Sequence, residues 1–169
     1  SEYRVPHLAH ATMEPQNCTA LVTNERCEIW VGTQVPDFVQ TLAEDITGLS
    51  GGEITLHTTY LGGGFGRRLE TDAVAQALTL AKAIPGRPVK VVWSREEDMQ
   101  HDMYRPAVLS RFRAVLDENG KPHAIEHRFA TQSMFKQFAR RNMGWLLRTA
   151  MGGVADKMEI SEAVKWPYR

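Results

Sequence analysis

The stretch Leu61-Gly62-Gly63-Gly64-Phe65-Gly66-Arg67-Arg68 packs four glycines into five positions and ends on two arginines. Such a backbone reaches φ > 0 almost anywhere and comes very close to a bound group. A glycine-rich turn that feeds a helix start aims several unpaired N–H groups at one point, an anion-binding geometry to which Arg67 and Arg68 add charge. Phe65 is the odd member, a large apolar ring where a pure phosphate cradle keeps residues small. The spacing fits neither G-x-G-x-x-G nor a P-loop, because no Gly-Lys-Ser/Thr closes it. Two readings stay open at this level, a bound anionic cofactor or a tight structural turn packed on its neighbour.

Other candidates are weaker. Gln34 stands at a strand-to-helix junction, where side chains tend to face a cleft, and its alternative is a solvated loop glutamine. His7 and His10 lie near Glu14, but the spacing is generic and no second ligand pair follows, so a metal site is not expected. Cys18 and Cys27 make neither a disulfide framework nor an iron–sulfur site, and they read as reduced thiols more readily than as one bridge. Redox chemistry would therefore need a bound cofactor or centres on another chain.

The elements that must position these residues follow from periodicity. Ser1 to Gln16 holds two prolines and no clear period, and reads as an extended arm. Thr19–Asn24 and Cys27–Gly32 are β-rich runs around an Asn24-Glu25-Arg26 turn. Pro36 and Asp37 suit a helix start, Phe38, Val39, Leu42, Ala43 and Ile46 mark one apolar face, and Gly48 is a C′ stop. Glu53–Tyr60 reads as a strand running into the glycine loop. A helix is expected from about Leu69 to Ile84, with Glu70 and Asp72 in its first turn and Ala73, Val74, Ala77, Leu78 and Ala81 inward.

Arg87–Ser94 alternates as a strand, and Arg95–Met99 starts a short helical segment whose charges read as a solvated face. Ala107–Leu116 and His123–Thr131 flank a strong Asp117-Glu118-Asn119-Gly120 hairpin signal, with His123 and His127 on the parity of Ile125 and Phe129. From Ser133 to Ala150 the period turns helical, with Lys136, Arg140, Arg141 and Arg148 as a basic flank.

The bulk numbers narrow the class. The 169 residues suffice for one domain with a core, or for a portion of something larger. Apolar and charged fractions of 43% and 24% are ordinary for a soluble globular chain, and 20 basic side chains balance 20 acidic ones. Nothing attracts nucleic acid or an anionic membrane globally, and no apolar run approaches membrane-spanning length.

Taken in order, Ala9-His10-Ala11-Thr12-Met13-Glu14-Pro15 through Asn17-Cys18-Thr19-Ala20, Trp30-Val31-Gly32-Thr33-Gln34-Val35-Pro36, Gly62 to Arg68, and Gly86-Arg87-Pro88-Val89-Lys90 with Arg95-Glu96-Glu97-Asp98-Met99 form a series. This series resembles the molybdopterin-binding large subunit of the xanthine dehydrogenase/aldehyde oxidase family. The Gly-Phe-Gly-Arg-Arg variant is most similar to the isoquinoline 1-oxidoreductase-like bacterial branch. The ordered motifs run from Glu2 to about Thr131.

The resemblance implies an α+β fold, a mixed β-sheet with helices packed mainly on one face, in a single partial domain over 1–169. It implies a molybdenum atom on a pterin dithiolene, in bacteria usually the cytosine dinucleotide form. It also implies insertion of water-derived oxygen into a C–H bond of an aldehyde or nitrogen heterocycle. Electrons would leave through two 2Fe–2S clusters on a small subunit. Gln34 corresponds to the glutamine whose amide approaches an oxygen ligand of molybdenum. Phe65 and Gly66 correspond to the pair against the metal centre, and Gly62, Gly63, Gly64 and Arg67 complete the pterin-contacting loop.

Some features depart from the family's pattern. Xanthine-specific members carry a glutamate where this chain has Leu69, and Glu70, one position later on a helix, would point about 100° away. The family's general-base glutamate lies in a downstream domain, so this stretch alone is expected neither to turn over nor to hold the cofactor well. The alternative from another class is a stand-alone phosphate or nucleotide module built on Gly62 to Gly66. Substrate and compartment are not legible in these residues.

Overall fold

The computed structural model describes residues 1–134 and 138. The helix and basic flank expected from Ser133 to Ala150 therefore lie, apart from their first residues, outside the described residues. The chain divides into two compact units, one formed by Leu8–Tyr104 and the other by Ser1–His7 with the residues from Arg105 onward.

The Leu8–Tyr104 unit is built on a four-stranded mixed sheet. Its strands are β1 (Asn17–Val22), β2 (Cys27–Val31), β3 (Ile54–Thr58) and β4 (Val89–Val92), in the order β3-β2-β1-β4. β1 pairs antiparallel with both β2 and β4, while β2 and β3 are parallel. A parallel pair needs a crossover, and helix α1 (Pro36–Thr47) supplies it. The strands alternate in burial as the period-2 pattern requires, with Cys18, Ala20, Val22, Cys27, Ile29 and Val31 inward.

α1 and α2 (Asp72–Ala83) both cover this inward face. Val39 and Ala43 of α1 and Val74, Ala77, Leu78 and Ala81 of α2 join the same core cluster. Ala77 and Ala81 on that face let α2 come close to the sheet, since at those positions only a methyl group separates the backbones. The α+β fold with a mixed sheet and helices mainly on one face is thus what the chain adopts. α1 stops at Gly48, whose φ of 80° is the left-handed C′ conformation.

Both cysteines are buried free thiols, with burial pushing Cys18 up to about 12 and Cys27 up to about 11. A neighbouring thiol adds to the first shift and Glu28 to the second. Thiols so protonated are inert core members.

Two expectations for this unit need correction. The glycine loop does not feed the long helix. A 3-10 turn over Arg67–Leu69 follows it, the backbone extends at Glu70, and α2 starts only at Asp72. Glu70 therefore lies outside the first turn, and the dipole of α2 is not aimed from the loop. The charges of α3 (Arg95–Gln100) are also not all solvated, because Asp98 is buried. Its Oδ1 accepts the Gln16 N–H at 3.2 Å, and its Oδ2 accepts from Arg95 Nη1 at 2.9 Å. The period of so short a helix could not say which acid turns inward.

In the second unit, β5 (Val108–Leu116) and β6 (Pro122–Thr131) form an antiparallel hairpin closed at Asp117–Gly120. His127 stacks on Phe112 across the strands, with ring centroids 3.9 Å apart, as its parity implies.

Candidate cofactor site

Two chain segments meet at one end of the sheet because β2 and β3 are parallel. Val31 lies beside Thr58, so both strands deliver their carboxyl ends to the same edge, where sheets with parallel strands present ligands. β2 continues through Gly32 and Thr33 to Gln34, and β3 continues through Thr59–Leu61 into the glycine loop. The Gln34 N–H donates to the Arg68 carbonyl at 3.1 Å, and the Thr33 hydroxyl donates to the same oxygen at 3.3 Å. Gly32 has its own reason to be small, since a Cβ there would stand 3.0 Å from Leu61 Cδ2 and 3.2 Å from the Tyr60 carbonyl.

The loop is closed by the Arg67 N–H donating to the Gly64 carbonyl at 2.8 Å. Gly63 and Gly66 take φ values of 104° and 98°, and Phe65, at 53°, joins them in the left-handed region. Among the described residues the N–H groups of Gly63, Gly64 and Phe65 have no hydrogen-bond acceptor. Three consecutive unpaired amides in a loop with left-handed residues are available to donate to an anion. The expectation of unpaired N–H groups is met by the loop itself, without a helix.

Gln34 is locked onto this loop. Its Oε1 accepts the Gly66 N–H at 3.1 Å, which identifies the oxygen end of the carboxamide and leaves Nε2 as the donor turned to other partners. Gly64 must be glycine for Gln34 to reach, because a Cβ there would lie 2.7 Å from Oε1. The Phe65 ring is 77% exposed and folds back over Gly63, so the loop carries an open aromatic face at its crest. A Cβ added at Gly66 would have only His10 Nε2 within 4 Å apart from its chain neighbours, at 3.9 Å. A flat, oxygen-bearing group can thus approach Gly66 unobstructed, among amide donors, the Gln34 amide and an aromatic ring. The site fits a pterin-type cofactor on these grounds.

The two arginines have a different task from the one their sequence position implies. Arg67 and Arg68 are 1% and 2% exposed, and neither guanidinium is free charge on the loop. Arg67 grips Asp72 in bidentate fashion at 3.1 and 2.7 Å, and its Nε lies 2.9 Å from Asp102 Oδ1. That last approach is electrostatic rather than a well-aligned hydrogen bond. Burial works against the Arg67 cation, but the Asp72 hydrogen bond and the charges of Asp72, Asp102 and Asp98 outweigh it and raise its pKa. For Arg68 burial prevails, and its pKa is lowered despite Glu14 and two aspartates. It remains a cation at neutral pH. Arg68 Nη2 donates to the carbonyls of Glu14 and Pro15, which fastens the segment before β1 beneath the loop.

Glu14 is the matching clasp from the other side. Its N–H donates to the Gly62 carbonyl at 3.1 Å, and its Oε2 accepts the Gly62 N–H at 2.7 Å. Burial alone would raise its pKa, yet hydrogen bonds from Asn17 and Gly62 and the Arg68 charge lower it below 4.5. A carboxyl whose folded pKa is depressed contributes stability above its unfolded value and loses it as pH falls through the folded one. The denaturant midpoint is therefore expected to drop as pH falls through and below the ordinary glutamate range, and less steeply for Glu14→Gln. Equal slopes for the two proteins would remove Glu14 from this role.

His10 and Glu14, weighed as metal ligands from sequence, are both engaged by protein groups. Asp98 and Asp102, which anchor the site from below, were missed. Nothing in their spacing marks them as such, because the contacts that tie them to the segment before β1, Gln16 to Asp98 and His10 to Asp102, span 82 and 92 residues.

The family model of the molybdopterin cofactor-binding domain matches residues 1–138. The chain is 40% identical over 125 residues to the isoquinoline 1-oxidoreductase subunit beta of Brevundimonas diminuta, covering 73% of this chain and 16% of that protein. It is 32% identical over 127 residues to the aldehyde oxidoreductase molybdenum-binding subunit PaoC of Escherichia coli K12, with 74% and 17% covered. The fold is similar to the crystal structure of quinoline 2-oxidoreductase from Pseudomonas putida 86, at a TM-score of 0.56 and 24% identity, covering 73% and 16% of the two chains. The chain spans about one sixth of the length of the curated relatives it matches. The mixed sheet, the glycine loop at the carboxyl end of its parallel pair and the profile match over most of the length agree, and the chain belongs to the molybdopterin cofactor-binding domain family.

Proposed function

We propose that this chain is the cofactor-contacting domain of a molybdenum hydroxylase that oxidises an aldehyde or a nitrogen heterocycle. The observation that carries the reading is the set of unpaired amides at Gly63, Gly64 and Phe65 beside a Gln34 carboxamide whose oxygen is already held by Gly66. When bound, the cofactor supplies two-electron oxidation of a C–H bond with water as the source of oxygen. The loop amides bind and orient it, and Gln34 Nε2 offers it a neutral hydrogen bond. Phe65 gives the crest an apolar wall, and Arg67 sets the loop by holding its stem. The oxidoreductase names of the relatives support the reaction class, whereas nothing in the comparisons favours a stand-alone phosphate or nucleotide module.

On the same reading the cofactor is the cytosine dinucleotide form. The remainder of a large subunit supplies the general base, and a small subunit with two 2Fe–2S clusters accepts the electrons. In the complete enzyme, Gln34→Ala is expected to lower turnover about 10- to 100-fold. Its stability should stay within about 0.5 kcal/mol of wild type, since the side chain is exposed. Parallel losses of thermal midpoint and turnover would make Gln34 a structural residue only.

A further inference from the structure

His10 is the side chain at the glycine loop for which the fold alone gives no complete account. Its ring is gripped on one side only. Asp102, whose side chain is 2% exposed, lies 3.0 Å from His10 Nδ1 through both carboxylate oxygens and also accepts the His10 backbone N–H. Asp102 is itself held by the Met103 N–H at 2.7 Å and by Arg67 at 2.9 Å, so it cannot swing away. A carboxylate at Nδ1 places the ring proton there and fixes the plane of the imidazole. Nε2 then points to the loop, 3.9 Å from where a Gly66 side chain would begin, with no hydrogen-bond partner among the described residues.

A second observation converges on the same point. Among the described residues only two that are not glycine have positive φ, Ala11 at 46° and Phe65 at 53°. One follows His10 directly and the other precedes Gly66. Left-handed backbone at such residues costs on the order of 1 kcal/mol or more and persists where surrounding structure imposes it. Here both strained residues flank the gap between Nε2 and Gly66.

We propose that His10 is a second side-chain contact to the cofactor seated on the loop, its Nε2 accepting a hydrogen bond from a hydroxyl or N–H of that group, with Asp102 as its positioning residue. Gln34 accepts the Gly66 N–H through its amide oxygen and His10 Nε2 lies 3.9 Å from where a Gly66 side chain would begin, so both side chains border the glycine at which a bound group could come closest. This inference rests on the reading of the loop as a molybdopterin contact.

The test uses the complete, cofactor-loaded enzyme and two variants, His10→Phe and His10→Gln. The readouts are molybdenum retained per protein after gel filtration, the electron paramagnetic resonance signal of the reduced centre, and the thermal midpoint of cofactor-free protein. His10→Phe is expected to retain about tenfold less molybdenum, with an altered signal and an unchanged cofactor-free midpoint. His10→Gln, whose side-chain carbonyl oxygen supplies an acceptor in place of Nε2, should recover most of that loss. Wild-type retention and signal in His10→Phe would overturn the proposal, as would a midpoint that falls in step with retention in both variants. Wild-type enzyme that carries no molybdenum would instead overturn the reading of the loop itself.

Discussion

Arg67→Met is expected to destabilise the Leu8–Tyr104 unit by about 3–5 kcal/mol, the range for removing one partner of a buried ion pair. The guanidinium serves two carboxylates at once, and its central carbon also lies 5.5 Å from the centre of the Trp93 ring. Asp72 is 28% exposed and can regain water when the arginine goes. Asp102 cannot, and its charge would be left with the His10 ring and the backbone N–H groups of His10 and Met103 in a dry site. That uncompensated charge, rather than lost attraction, dominates the cost.

Arg67→Lys should recover only part of it, because an ammonium cannot span the Asp72 fork and reach Asp102 together. The double variant Arg67→Met/Asp102→Leu should cost less than the sum of its single changes, because no charge is then stranded. Urea denaturation of wild type, the single variants Arg67→Met, Arg67→Lys and Asp102→Leu, and the double variant measures these differences. A loss below about 1 kcal/mol for Arg67→Met would mean that the pair is solvated, as surface ion pairs are.

The second large effect is expected from one methyl group. In Gly62→Ala the new carbon would stand 2.3 Å from Glu14 Cβ and 3.2 Å from the Glu14 backbone nitrogen. Neither neighbour is a flexible side-chain end. Relief requires prising the loop from the segment that Glu14 and Arg68 fasten beneath it. The expected cost is about 1–3 kcal/mol, as for other overpacked sites, together with loss of the Glu14 clasp that sets the loop stem. Gly52→Ala is the control, since its Cβ would meet nothing within 4 Å. It should be neutral or stabilise by about 0.4–1 kcal/mol through the unfolded chain. Chemical denaturation of both variants, with cofactor content of the complete enzyme, separates the two cases. Equal midpoints for Gly62→Ala and Gly52→Ala would show that the loop is not clamped.

The strands and helices of this chain were legible because their signals are local. The β-rich composition of β1 and β2, the alternation of β4, the apolar stripe of α1 and the alanine face of α2 each follow from residues a few positions apart. Burial then selects the face already marked. The start of α2 was misjudged because Leu69 and Glu70 continue an acceptable helical pattern. Gly66, at φ 98°, opens a 3-10 turn instead, and the ion pair of Arg67 with Asp72 spans the break.

The same division runs through the site. Residue types along the chain determined by themselves that the Gly62–Gly66 backbone could take left-handed turns and admit a group without a Cβ in its way. They also placed a neutral amide, Gln34, at a strand-to-helix junction. Only the tertiary structure decided that the junction and the loop share one end of the sheet, through the parallel register of Val31 with Thr58. It also turned both arginines inward, Arg67 onto nearby Asp72 and distant Asp102, and Arg68 towards Glu14, and of these acids Asp102 and Glu14 lie close only in the fold. The physical reason is one of range. Conformational preference is set by neighbours in sequence, whereas the partner of a buried charge is set by whichever opposite charge the packed core brings within about 3–4 Å.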